Sequence, residues 1–130
     1  MLLNDEERIV NKVKQKTNDG TIHWNVANSD NYANLIDNPQ NIKRIFESGP
    51  LDQAQNARKF IIYEIKRVKF NPDWDNYYEI SSVVLALINN NTIERSYTSE
   101  TVSSEILLDL LEKVSNKVFG TDSFMNSFFA

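Results

Sequence analysis

The chain has no cysteine, one histidine, three glycines and three prolines among its 130 residues. Without cysteine it can form no disulfide, no thiolate zinc site and no thiol nucleophile. The lone histidine, His23, has no partner at His-x-x-His or similar spacing, so a metal site would need carboxylates brought together from elsewhere. Gly20, Gly49 and Gly120 are isolated punctuation, which excludes a glycine-rich phosphate cradle. No serine stands in a nucleophile elbow. Apolar runs are too short for a membrane-spanning helix. The opening Met-Leu-Leu-Asn-Asp-Glu-Glu is acidic where a signal peptide is basic, so a cytoplasmic protein is expected. Asn90-Asn91-Thr92 matches a glycosylation acceptor, but in that setting it is better taken as a turn. No cofactor is expected.

What is present is an ordinary globular composition, 41% hydrophobic and 25% charged, in one stretch of about domain size. The pattern predicts an α+β fold over residues 1–130. An antiparallel sheet of about four strands is packed by N-terminal and C-terminal helices. Its centre is a meander. Arg58 to Phe70 is rich in β-branched and aromatic residues, with Phe60, Ile62, Val68 and Phe70 on one parity and Ile61, Tyr63 and Ile65 on the other. Apolar residues on both parities suit a central strand. Asn71-Pro-Asp73 ends it, and Tyr77 to Ile88 follows with the same double-sided pattern. Asn89-Asn90-Asn91 supplies a tight turn into Thr92 to Thr98.

Upstream, Leu3 to Lys16 has helical spacing. Asn4 is the cap, Asp5, Glu6 and Glu7 sit at the positive end of the dipole, and Lys12, Lys14 and Lys16 at the negative end. Leu2 or Leu3, Ile9, Val10, Val13 and Thr17 are expected to face the sheet. Gly20 ends the helix, and Thr21 to Val26 alternates as a strand that buries Ile22, Trp24 and Val26. Lys16-Thr17-x-x-Gly20-x-Ile22-x-Trp24 after a short amphipathic helix resembles a group of small bacterial and phage-encoded proteins. That likeness covers most of the chain except residues 27–57. It implies a meander followed by a Leu-rich helix and a shorter one, and a bacterial or phage origin. It brings no activity and no site residues.

Between Ala27 and Gly49 the expectation is two short helices, or one helix and a loop. Asn28, Ser29 or Asp30 caps a turn through Tyr32, Leu35 and Ile36. Pro39 opens a second, whose apolar face is Ile42, Ile45 and Phe46. Leu51 to Ala57 is expected to add a helical turn. Thr101 or Ser103 caps the last long helix, with the stripe Leu107, Leu110, Leu111, Val114 and Val118, ended by Gly120. Thr121-Asp122 caps a final turn bearing Phe124, Met125, Phe128 and Phe129. That cluster is expected to seal the core; if exposed, Phe128 and Phe129 form a partner surface.

Charge is uneven. Arg58, Lys59, Lys66, Arg67 and Lys69 stand against one anion, Glu64, within Arg58 to Phe70, so a chain of net charge −4 carries −8 elsewhere. These five are the candidate anion-binding residues, though rows of this kind more often neutralise nearby carboxylates. Parity splits them, with Lys59, Arg67 and Lys69 opposite Arg58 and Lys66. Asp73-x-Asp75 opens like a calcium loop but fails at Tyr78 and Val84, where Gly and Glu are required. Asp73, Asp75 and Glu79 are the natural candidates for carboxylate hydrolysis, and solvated loop residues are the simpler account. Trp74, Tyr77 and Tyr78 beside them either present a partner surface or, the favoured reading, fold back over one end of the core. A non-catalytic protein-binding or regulatory module is the leading expectation. A nucleic-acid binder using residues 58–70 is the alternative, with Tyr63 and Phe70 as stacking groups. A carboxylate hydrolase ranks third.

Overall fold

The computed structural model describes residues 2–52 and 58–130. The helical turn expected across Leu51 to Ala57 falls largely outside these residues. Helix α1 (Asp5–Asn18) leads to strand β1 (Trp24–Val26), two 3₁₀ turns (Ser29–Tyr32 and Pro39–Asn41) and β2 (Ile42–Ser48). Then come β3 (Lys59–Asn71), β4 (Asn76–Ile88), β5 (Ile93–Tyr97), α2 (Ser104–Phe119) and α3 (Thr121–Phe128). The five strands form one antiparallel sheet in chain order, with β3 at its centre. The architecture is α+β, with the N-terminal and C-terminal helices packed on the sheet.

The sheet has five strands because residues 42–48 are a strand and not the helix their spacing suggested. Ile42, Ile45 and Phe46 fit one helical face. In the sheet, Ile45 and Phe46 point to opposite sides and both are buried, because both faces are covered. A bulge between Ile42 and Arg44 further blurs the alternation. On one side, α1 and α2 cover Phe46, Ile62, Leu85 and Tyr97. On the other, Tyr32 and Ile36 from the segment before β2 cover Ile45, Ile61, Tyr63, Val84 and Ile88. Trp24, Val13, Leu107, Leu111 and Val114 are all buried, as expected.

Helix α1 is held by a full capping box: Glu7 N–H donates to Asn4 Oδ1 at 2.7 Å, and Asn4 N–H donates to Glu7 Oε1 at 3.2 Å. The same two side chains reach the start of α2. Asn4 Nδ2 donates to the Thr101 carbonyl at 2.8 Å, and Ser103 N–H donates to Glu7 Oε2 at 3.0 Å. The Ser103 side chain makes no cap of its own. Further along, Lys14 approaches Asp109 at 4.0 Å, so the two helices run side by side in the same direction.

The Lys16–Trp24 stretch has a concrete geometry. Thr17 Oγ1 donates to the Val13 carbonyl at 2.8 Å and accepts the indole N–H of Trp24 at 2.9 Å, with both residues buried. Gly20, at φ 83°, makes the left-handed exit that lets the chain reverse beneath the helix. Some apolar residues expected inside are exposed: Leu2 and Leu3 ahead of α1, Ile9 on α1, and Val26 on β1. β1 is a three-residue edge strand, and Val26 at its end borders an open groove shared with Ser115 and Phe119 of α2.

Candidate functional site

Strands β3 and β4 are each 13 residues long, but their neighbours are shorter. β2 stops pairing with β3 at Ile65, and β5 stops pairing with β4 at Leu85. Six further pairs, from Lys66 opposite Ser81 to Asn71 opposite Asn76, therefore have no strand on either side among the described residues. At about 3.4 Å per residue they project roughly 20 Å beyond the sheet. At the tip, Asp73 N–H donates to Asn71 Oδ1 at 3.0 Å and Asp75 takes a left-handed φ of 49°, which together turn the chain.

Every residue from Arg67 to Glu79 except Asn71 is exposed. The register assigns the ribbon two different faces. Val68, Phe70 and Tyr77 continue the face that α1 and α2 cover nearer the base; Arg67, Lys69 and Tyr78 continue the other. Phe70 and Tyr77 pair across the strands with ring centroids 5.1 Å apart. Trp74 at the tip is 75% exposed and Tyr77 73%. The expectation that Trp74, Tyr77 and Tyr78 fold back over the core is thus incorrect. The ribbon carries them away from it, and among the described residues no helix or strand covers them.

The five basic residues separate into two groups. Arg58 donates to Glu94 Oε2 at 2.7 Å and to Asp52 at 3.4 Å. Those bonds from Arg58 hold the Glu94 carboxyl below its ordinary pKa, against a smaller opposing effect of burial. Lys59 lies 3.5 Å from Glu47 and 5.1 Å above the Tyr32 ring. Burial tends to lower its pKa, but Tyr32 and Glu47 outweigh that and raise it. Lys66 pairs with Glu79 at 3.3 Å across the root of the ribbon. Among the described residues, Arg67 and Lys69 have no carboxylate within ion-pair distance. Three of the five cations are thus engaged with acids, and the other two share the Tyr78 side of the ribbon.

The carboxylates do not converge. Asp73 and Asp75 point out from the exposed tip, while Glu79 is tied to Lys66. Among the described residues no group of three or more His, Cys, Asp or Glu is placed to hold a metal. His23 is exposed on the segment before β1. Beside it an apolar groove of about 520 Å³ runs between α1 and the Gly49–Leu51 turn, floored by Ile22 and Phe60. Among the described residues no carboxylate lines it, and its polar side chains are Lys12, Lys16, Thr21 and His23.

The second exposed apolar surface was expected inside. Phe124, Met125, Phe128 and Phe129 are all in solvent, on a helix whose main contact is α2. Gly120, with φ 62°, ends α2 in a left-handed turn and directs α3 off the sheet. No side chain caps the start of α3, so Thr121 and Asp122 do not play that part. Among the described residues no helix is long and apolar enough to cross a membrane.

No family model, no curated protein and no solved structure matches the chain.

Proposed function

We propose that this protein is a non-catalytic protein-binding module that engages its partner through the β3–β4 ribbon. One observation carries the reading: Phe70, Trp74, Tyr77 and Tyr78 are held in solvent on a paired, sheet-anchored element with Arg67 beside them. Trp, Tyr and Arg dominate the energetics of protein interfaces, and Trp and Tyr combine large contact area with few rotors to freeze. A ribbon already folded offers them at little further entropic cost. The resemblance at Lys16–Trp24 suggests the setting, a bacterial or phage regulator, inhibitor or mobile-element accessory acting in the cytoplasm.

The nucleic-acid reading has one observation in its favour, the unpaired Arg67 and Lys69 flanking Tyr78. Two cations are few for a polyanion site, and Asp73 and Asp75 at the tip oppose them. Carboxylate hydrolysis has weaker support, because its candidates lie apart and exposed.

The test is affinity capture from a bacterial lysate with the full chain and with Trp74→Ala/Tyr77→Ala. A partner held by the first and lost or weakened about tenfold or more by the second supports the reading. Identical capture by both, with both variants folded, removes the ribbon from the interface.

A further inference from the structure

From the exposed aromatic face of α3 we infer that the chain forms a two-fold dimer through that helix, an interface separate from the ribbon. Phe124, Met125, Phe128 and Phe129 recur at helical spacing on one side of the helix, with Ser123 opposite. Phe119, at the end of α2, is turned to the sheet instead, its ring meeting Phe46 edge-on at 5.9 Å.

Area supports a second copy as the occupant. Phe124, Phe128 and Phe129 are 62, 68 and 72% exposed. At about 150–250 Å² per aromatic side chain they leave on the order of 400 Å² uncovered. Two such faces meeting, with Met125 included, remove about 1,000 Å² from water, which reaches the lower bound for a specific interface.

Charge supports it as well. Copies of a chain with net charge −4 repel one another wherever charged surfaces meet. The ten residues from Thr121 to Ala130 contain one charge, Asp122, so this is where two copies approach with least opposition. Aromatic rings also pair well with their own kind. Phe124 stacks on Phe128 at 5.9 Å and Phe128 meets Phe129 edge-on at 5.0 Å, leaving ring edges and faces outward for an isologous contact. A lipid surface fits less well. Helices that lie on membranes carry Lys and Arg along their polar face, and α3 has neither.

Sedimentation equilibrium of the full chain tests the dimer. The weight-average mass should climb from 15.1 kDa toward twice that value as concentration rises through about 1–100 µM. Phe124→Ser/Phe128→Ser should weaken association about tenfold or more. Both residues are exposed, so at concentrations where the wild type is monomeric the melting curve of that variant should stay in place. The absence of native cysteine allows a second readout. Under a mild oxidant Met125→Cys should give a covalent dimer, and Ser123→Cys, on the opposite face, should not. The ribbon variant Trp74→Ala/Tyr77→Ala should dimerise as the wild type does. A monomer throughout the range, a dimer indifferent to the double Ser substitution or lost in the ribbon variant, or flotation of monomer with phosphatidylcholine vesicles would overturn the inference.

Discussion

Thr17 shows what a single hydroxyl can hold together. It donates back to its own helix and accepts the indole N–H of Trp24, so helix α1 and strand β1 share one buried oxygen. Thr17→Val keeps the shape and removes the acceptor, leaving a buried donor unpaired at a cost of about 1–3 kcal/mol. Urea unfolding should register that loss, and Thr17→Ser should retain most of the stability. Tyr63 makes a different prediction. Burial raises its pKa above the ordinary 10.0, and burial does the same to Tyr32 and Tyr97. A raised pKa means the folded state holds the phenolic proton more tightly than the unfolded state does. That stability is complete below pH 10 and is lost as pH climbs through the folded value. Unfolding midpoints should therefore hold up to about pH 10 and fall above it, and Tyr63→Phe should flatten part of the decline. A midpoint unchanged above that pH would contradict the burial of these rings.

Elements differ in how openly the sequence declares them. The β3–β4–β5 meander is legible because long runs of β-branched residues end at Asn71-Pro72 and at Asn90-Asn91, the latter two taking left-handed φ of 49° and 61°. The first helix is legible from its Asn4 cap, its acidic first turn and its Gly20 exit. Strand β2 is concealed: in a sheet covered on both faces, adjacent residues such as Ile45 and Phe46 are both apolar, and the two-residue period disappears. The ribbon and α3 fail to announce themselves for another reason. Periodicity states which residues share a face, not whether anything in the fold lies against it. Val68 and Phe70 keep the parity of Phe60 and Ile62, yet nothing covers them. Because the ribbon contributes little to the core, it should be separable from the fold. Replacing Arg67 through Ile80 by Asn-Gly should leave the melting temperature within about 4 °C, the shift expected for roughly 1 kcal/mol in a domain this size. A much larger fall would mean that the ribbon supports the sheet.

At the scale of the whole molecule, charge decides what the surface attracts. The basic strand is largely spent on Asp52, Glu47, Glu94 and Glu79, and the rest of the chain is strongly acidic. Binding to mixed-sequence DNA or RNA at physiological salt is expected to be no tighter than about 10 µM, weak even beside ordinary non-specific affinities. Fluorescence anisotropy across a salt series measures it. Submicromolar affinity with a steep log–log slope, abolished by Arg67→Glu/Lys69→Glu, would replace the protein-binding reading. Two such ribbons on one dimer would engage paired partner sites with a gain from effective concentration alone.

The link between the starts of α1 and α2 also sets an order in time. Asn4 and Glu7 find their partners in Thr101 and Ser103, 97 and 96 residues further on. At about 5–20 residues per second, the ribosome takes roughly 5 to 20 s to supply them. The strands meet their neighbours as they emerge, since the sheet follows chain order. Its helix side, bearing Phe46, Ile62 and Leu85, waits for α2. A pause in translation between β5 and α2 would hold that side open, and it is then that the nascent chain has most need of a chaperone.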